Sequence, residues 1–162
     1  GISSFGLAQR LGISRTEAKK LIDDYFAAFP AIRSFIDDTV ASARENGYVE
    51  TLFGRRRYLP DICSRNATVR ALAERNAVNA PIQGTAADII KMAMIGVDRK
   101  MSEAGLESRM VLQIHDELLF DTVHDEIETL MSIVKEQMEH VTELSVPLTV
   151  ECNYGKNWLE AH

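Results

Sequence analysis

Three consecutive residues, His115, Asp116 and Glu117, have side chains that bind metal ions or exchange protons. Apolar runs flank them at residues 110–112 and 118–120, and this pattern predicts two short buried strands that meet at a tight polar turn. A buried charge must be paired, bind a metal or become neutral. We therefore interpret the turn as a candidate metal or acid–base site. The alternative is a solvated hairpin turn, because Asp is common in turns.

Asp116 is the better candidate for a metal ligand, because hard cations such as Mg²⁺ prefer carboxylate oxygens. Glu117 would face the opposite way in an extended strand, so the two carboxylates can share one ion only if the turn twists them together. Glu117 therefore tunes the site, contacts a metal through water, or is a solvated turn charge. Because Mg²⁺ prefers oxygen to imidazole, we interpret His115 as a hydrogen-bond donor.

A second polar set, Arg75, Asn79 and Gln83, recurs at four-residue spacing and is predicted to lie along one face of a helix. These side chains can reach phosphates and acceptor atoms on base edges. The acceptors of the minor groove are nearly the same for every base pair, so such a face suits a duplex of any sequence. The alternative is a polar helix face packed against another part of the protein.

A basic triplet, Arg55, Arg56 and Arg57, stands beside a predicted hairpin turn. By itself it is weak evidence for phosphate binding. In a strand, side chains alternate between the two faces, so Arg56 cannot share a face with both neighbours. We therefore expect at least one of the three to make an internal ion pair.

Local signals predict the elements near the start of the chain. Ser14 and Glu17 have the spacing of a capping box at a helix start, and Pro30 suits the first turn of a second helix. Gly47 suits the left-handed end of that helix. These signals predict a helical hairpin that acts as scaffold.

The remaining elements predict an α+β fold. A small β-hairpin is expected over residues 48–59, followed by a long helical pattern over residues 68–101 that Pro81 should kink or split. The hairpin centred on His115 comes next, then an amphipathic helix over residues 125–141 and a final strand over residues 148–152.

Composition separates the chain into a basic and an acidic part. The 162 residues carry a net charge of −6 and are 46% apolar, ordinary for a globular protein. Residues 51–75 hold six arginines against two carboxylates, whereas residues 116–143 hold nine carboxylates against one lysine. This distribution suggests a two-sided molecule, or two solvated faces. The sequence predicts no membrane span, because it has no apolar run of 18 residues.

Four segments, in the same order, resemble family A DNA polymerases, the DNA polymerase I family. They are GISSFGL at residues 1–7, TLFGRRRYLPD at residues 51–61, RNAVNAPIQGTAAD at residues 75–88 and QIHDELLFD at residues 113–121. The resemblance is to the C-terminal part of the polymerase domain, the rear fingers and palm. It implies that residues 1–60 are the fingers part and residues 61–162 the palm part.

The resemblance implies nucleotidyl transfer from a dNTP to a primer 3′-hydroxyl, with two Mg²⁺ ions in the intact enzyme. It assigns catalysis to Asp116 and Glu117 and metal binding to Asp116. A bacterial cytoplasmic, nucleoid-associated location follows, with primer-template DNA as partner and no membrane. Phe5 could equally be a core residue. The implied DNA contacts are His115, Arg75, Asn79, Gln83, Arg70, Ser3 and Phe5.

The family's other catalytic aspartate lies in a palm motif that begins Asp-Tyr-Ser, and this motif does not occur here. The family's fingers helix, which binds the triphosphate, is also expected upstream. We therefore expect the 162-residue chain alone to be inactive, and an unpaired sheet edge to favour self-association. A non-catalytic DNA-binding module is the alternative function. A metal-dependent hydrolase would need further ligands at suitable spacing, and the sequence has none.

Overall fold

The computed structural model describes residues 2–161. The chain divides into two compact units between Thr85 and Ala86. The division lies inside a long helix rather than near residue 60. The boundary between a fingers part and a palm part therefore stays a prediction.

Three helices begin the first unit: α1 (Ser4–Leu11), α2 (Arg15–Ala28) and α3 (Pro30–Asn46). The predicted capping signals are confirmed. The Ser14 hydroxyl accepts from the backbone N–H of Glu17, and the Glu17 carboxylate accepts from the backbone N–H of Ser14. Pro30 starts α3, and Gly47 ends it with a φ of 78°.

The predicted small hairpin is confirmed as β1 (Tyr48–Glu50) and β2 (Arg56–Tyr58). The two strands pair antiparallel, with Tyr48 opposite Tyr58, Val49 opposite Arg57 and Glu50 opposite Arg56. Val49 is buried in one cluster with Ala43 of α3 and with small side chains of the helix that follows the hairpin. The members of this cluster are Ala43, Val49, Leu59, Ile62, Ala73, Ala77 and Ala80.

Helix α4 (Ala67–Glu103) runs for 37 residues with Pro81 inside it. Pro81 does not split the helix, because the helix continues through it, and a kink at Pro81 stays a prediction. Proline removes only one backbone donor, and the helical turns on both sides of Pro81 pack buried side chains, among them Ala77 and Ile90.

The second unit holds the predicted hairpin, β3 (Arg109–Ile114) and β4 (Glu117–Asp121), and the predicted amphipathic helix. That helix is α5 (Ile127–Glu139), preceded by a 3-10 turn at His124–Glu126. Its buried face, Leu130 and Val134, packs with Val97 and Met101 of α4. Both predictions are confirmed, and α+β describes the fold.

The predicted final strand at residues 148–152 is wrong. The described sheets are two separate two-stranded ribbons, and this segment pairs with neither. The backbone N–H of Val150 instead donates to Oε1 of Glu139, at 3.0 Å. The alternation of apolar and polar residues therefore indicated a strand, but no partner strand lies beside the segment among residues 2–161. A last short helix, α6 (Trp158–Ala161), follows, and none of the described helices is long and apolar enough to cross a membrane.

Candidate functional site

The turn between β3 and β4 consists of His115 and Asp116, because Ile114 pairs with Glu117. His115 has a φ of 52° and is the one described non-glycine residue with positive φ. His tolerates this left-handed region better than most residues do. The side-chain amide of Gln113 donates to the carbonyl oxygen of His115. Gln113 therefore braces the turn, a role that the sequence pattern did not indicate.

The candidate catalytic side chains are solvent-exposed. His115, Asp116 and Glu117 are all exposed, and Val111 and Leu112 on β3 are 54% and 48% exposed. The expectation that the turn closes two buried strands is therefore wrong. In a two-stranded ribbon one face packs on the core, here through Met110 and Phe120, and within residues 2–161 the other face stays open.

The turn exposes one carboxylate, Asp116, and does not form a metal centre with the other described residues. In the part of the chain that the structure describes, no three His, Cys, Asp or Glu side chains lie close enough together to hold an ion. Asp116, as an exposed carboxylate in a braced turn, fits one ligand of a hard cation. The described residues therefore do not by themselves fit the two Mg²⁺ ions that the resemblance implies.

A network at the base of the hairpin fixes where β3 begins. Glu126 accepts from the backbone N–H of Glu107 (2.9 Å) and from the N–H (2.9 Å) and hydroxyl (2.6 Å) of Ser108. The Ser108 hydroxyl accepts from the backbone N–H of Val123. The hydrogen bond from the Ser108 hydroxyl, followed by the two backbone donors, lowers the pKa of Glu126. This network ties both ends of the hairpin together, and sequence spacing gave no sign of it.

The three α4 residues predicted to share a face do so, and all are exposed. Arg75, Asn79 and Gln83 lie on one continuous helix. Each of these side chains is free of hydrogen bonds and ion pairs to other residues in the range 2–161. Their polar groups are thus available to a ligand. The alternative of a packed polar face is not met among the described residues.

Arg70, on the same helix, has partners inside the chain. Its Nη1 donates to the carbonyl oxygen of Ser64 at 2.8 Å, and its Nε lies 3.9 Å from Oε1 of Glu74. The same Glu74 oxygen lies 2.6 Å from Nη2 of Arg44. Because a guanidinium has five N–H donors, Arg70 is held in place and keeps donors for a further acceptor.

The two other predicted contacts lie at the start of α1. The Ser3 hydroxyl accepts from the backbone N–H of Gly6 at 3.1 Å and caps the helix. Phe5 is 58% exposed, so it is not a core residue of the described chain. The predicted residues thus form three local groups, one at the start of α1, one on α4 and one at the β3–β4 turn. The first two groups belong to the first unit and the third to the second unit.

The arginines of the triplet differ in their hydrogen-bond partners. Nη2 of Arg55 donates to the carbonyl oxygen of Gly84 on α4, at 3.0 Å. Nε of Arg56 donates to Oε1 of Glu50 at 2.7 Å, which raises the pKa of Arg56. The predicted internal ion pair is confirmed.

Comparison with known proteins identifies the family. The sequence profile of DNA polymerase family A matches residues 1–160. The chain is 52% identical over 161 residues to DNA polymerase I of Streptococcus pneumoniae, and the match covers 99% of this chain and 18% of that protein. The values are the same for DNA polymerase I of Geobacillus stearothermophilus. For that of Pseudomonas aeruginosa, identity is 49% over 162 residues, covering 100% and 18%.

A solved structure agrees with these matches. The POL domain of Pol1 from M. smegmatis, in complex with DNA primer-template and dNTP, has a TM-score of 0.96 and 51% sequence identity. The match covers 99% of this chain and 28% of that chain. The chain therefore spans less than a third of that domain structure and 18% of the curated relatives' length. With a profile match from residue 1 to residue 160, the chain belongs to DNA polymerase family A.

Proposed function

We propose that the chain is part of a DNA-directed DNA polymerase, in which it holds primer-template DNA and supplies one metal-binding carboxylate. The observation that carries this proposal is the row of Arg75, Asn79 and Gln83 on α4, exposed and without partners among the described residues. Long polar side chains lose much rotamer entropy when they are fixed. Three that stay unpaired along one helix face are suited to a polar ligand that lies along the helix.

A DNA minor groove is such a ligand. Its acceptors at purine N3 and pyrimidine O2 occur at every base pair. Arg75, Asn79 and Gln83 all carry N–H donors, so the row grips any correct pair without reading sequence. Arg70, oriented by Ser64 and Glu74, is proposed to contact a phosphate.

The turn is proposed as the catalytic part of the chain. Asp116 is one metal ligand, Glu117 tunes the site, and His115 donates a hydrogen bond to the primer strand near its 3′ end. Two Mg²⁺ ions are the proposed cofactors of the intact enzyme, and when bound such ions stabilise the attacking and leaving oxygens of nucleotidyl transfer. Ser3 and Phe5 are proposed to lie near the template strand, where the Ser3 hydroxyl keeps its proton for a phosphate.

We further propose that the 162-residue chain alone does not extend a primer, because its described residues hold no cluster of metal ligands. The proposed reaction takes place in the bacterial cytoplasm at the nucleoid, and the dNTP is held mainly by segments other than this one. A primer-extension assay of the purified chain is expected to give no product. Extension that Asp116→Asn abolishes would contradict this proposal.

The same chain is proposed to self-associate. In the range 2–161 the β3–β4 ribbon has no third strand, and Val111 and Leu112 on β3 are exposed. Unpaired edges and apolar patches favour association. Light scattering across a concentration series is expected to show a rising mass, and a constant monomer mass would contradict this proposal.

The polymerase assignment is tested in a chimaera. Residues 1–162 replace the matching segment of DNA polymerase I from Geobacillus stearothermophilus, which is 52% identical to this chain. The chimaera is expected to extend primers, and Asp116→Asn to reduce kcat by roughly 100-fold or more, the scale for losing one charge-stabilising group in an active site. Asp125→Asn removes the same charge from an exposed position and serves as control.

Two outcomes would refute the assignment. A folded chimaera that binds primer-template but never extends it would favour the non-catalytic DNA-binding module. Equal kcat values for Asp116→Asn and Asp125→Asn would remove Asp116 from the catalytic site.

A further inference from the structure

The β1–β2 ribbon separates its side chains into two faces. One face carries Tyr48, Glu50, Arg56 and Tyr58, since alternate residues of a strand share a face and Tyr48 pairs with Tyr58 and Glu50 with Arg56. The side chains of this face contact one another. The two tyrosine rings lie 5.8 Å apart, the Arg56 guanidinium lies 4.4 Å from the centroid of the Tyr48 ring, and Glu50 accepts from Arg56.

The other face of the ribbon is directed to α4. Val49 is only 7% exposed and packs in the cluster that contains Ala73, Ala77 and Ala80 of α4. Arg57 is the cross-strand partner of Val49, and directly opposed residues lie on the same face. Arg57 therefore leaves the ribbon on its α4 side. Its long side chain carries the charge into solvent, since the residue is exposed.

The ribbon is fixed against α4 at its tip as well. The backbone N–H of Leu52 donates to the Thr85 hydroxyl at 2.9 Å, and Nη2 of Arg55 donates to the Gly84 carbonyl at 3.0 Å. A Cβ on Gly84 would lie 2.5 Å from Cγ2 of Thr51, so the tip approaches the helix closely. Arg57 is thus carried by a strand whose place beside α4 is defined.

The charge of Arg57 is not used inside the described chain. Arg56 is paired with Glu50 and Arg70 with Ser64 and Glu74. The guanidinium of Arg57, by contrast, has neither a hydrogen bond nor an ion pair within residues 2–161. Arg65 also lacks a partner there, but it lies in the loop before α4 and no strand directs it. Arg57 is therefore the one triplet cation that is both directed to the α4 side and available.

We propose that Arg57 binds a backbone phosphate of the duplex that α4 holds. This inference rests on the proposed function, and it adds a contact to the row on α4. Arg57 supplies position and charge without sequence information, as phosphate contacts do. Two ligands could offer Arg57 a phosphate oxyanion: the DNA backbone, which we propose, and the triphosphate of the incoming nucleotide.

The test measures primer-template affinity of the chimaera by fluorescence anisotropy between 50 and 200 mM salt. Each neutralised phosphate contributes about 0.9 to the slope of log Kobs against log salt. Arg57→Ala is therefore expected to reduce the slope by about 0.9. Its loss of affinity should then be roughly 3-fold larger at 50 mM than at 200 mM salt. Arg57→Lys should restore the slope, because lysine also neutralises one phosphate.

Arg56→Ala is the matched control. It removes the same charge from the same strand, but Arg56 is engaged with Glu50, so the slope should stay unchanged. Thermal melting of each variant checks the fold. Equal slopes for Arg57→Ala and Arg56→Ala, in folded variants, would overturn the inference.

Two further measurements distinguish this inference from nucleotide binding by Arg57 and from a failure of the proposed function. If Arg57→Ala raises KM for dNTP and leaves the DNA slope unchanged, the phosphate belongs to the nucleotide and the inference is overturned. If the parent chimaera binds no primer-template, the proposed function fails and this inference with it. A parent that binds and is weakened by Arg75→Ala, with no effect of Arg57→Ala, overturns this inference alone.

Discussion

Gly84 and Gly96 lie in the interior of the same helix, and alanine should affect them in opposite directions. A Cβ on Gly84 would lie 2.5 Å from Cγ2 of Thr51, closer than real contacts allow. A Cβ on Gly96 would lie 2.9 Å from Oε1 of Gln137. The Gln137 oxygen is the far end of a flexible side chain and can turn away, whereas the Thr51 methyl group is on a branched and anchored residue.

Thr51 is held at three points. Its N–H donates to the carbonyl oxygen of Arg55, its carbonyl accepts from the N–H of Gly54, and its hydroxyl accepts from the N–H of Arg55. The methyl group cannot rotate out of the way without losing the last of these bonds. Alanine at position 84 must therefore lift the ribbon tip from α4.

The magnitudes follow from these contacts. Alanine gains about 1 kcal/mol over glycine in a helix interior, and overpacking costs about 1–3 kcal/mol. Lifting the tip also weakens the Leu52–Thr85 and Arg55–Gly84 hydrogen bonds, each worth about 1 kcal/mol. Gly84→Ala should then lower the free energy of unfolding by roughly 1–3 kcal/mol. Gly96→Ala should raise it by up to about 1 kcal/mol.

Urea denaturation followed by circular dichroism measures both free energies of unfolding. Thr51→Ser removes the clashing methyl group and keeps the hydroxyl that accepts from Arg55. Combined with Gly84→Ala, it should recover most of the loss, and the two changes should be non-additive. A Gly84→Ala variant as stable as Gly96→Ala, or a loss that Thr51→Ser leaves unchanged, would refute the steric argument.

Three further predictions concern stability. Leu130→Ala, at a side chain that is 3% exposed, should cost about 2–5 kcal/mol in urea denaturation; Leu159→Ala, at 89% exposure, should stay within about 0.5 kcal/mol. The lowered pKa of Glu126 means that its contribution to stability is complete above the ordinary glutamate pKa. That contribution is lost as pH falls through the lowered value. The urea midpoint of Glu126→Gln should therefore lie below that of the parent at pH 7 and approach it in acid, and a constant gap would contradict this. Ser14→Ala should cost about 0.5–2 kcal/mol by removing the capping box. Ser4→Ala should not, because the Ser4 hydroxyl makes no hydrogen bond within residues 2–161 and α1 is capped by Ser3 instead.

Local chemistry made several elements predictable. The capping box of Ser14 and Glu17, the proline at the start of α3 and the left-handed Gly47 each depend on residues within one turn. Such signals are contained in the sequence itself, because the donor and acceptor are neighbours in the chain. The two hairpins were predictable for the same reason, since each is closed by a short turn.

Contacts between distant residues were not predictable in this way. Residues 148–152 alternate as a strand does, but a strand needs a partner, and Val150 bonds to the Glu139 side chain instead. The network of Glu126 with Ser108 joins residues 18 positions apart, and no periodicity marks it. The exposure of the His115 turn was missed because an apolar sequence does not say which face of a ribbon is covered.

The sequence by itself determined the family, the helical row of Arg75, Asn79 and Gln83, and the presence of an ion pair within the arginine triplet. Residue type and spacing were sufficient for these, because a helix or strand converts spacing directly into faces. The tertiary structure decided which arginine is paired and which is available. Strand register set Arg56 against Glu50 and Arg57 against Val49, and packing on α4 buried one face of the ribbon. Pairing partners and burial depend on chain segments that meet only after folding, so the sequence pattern could not assign them.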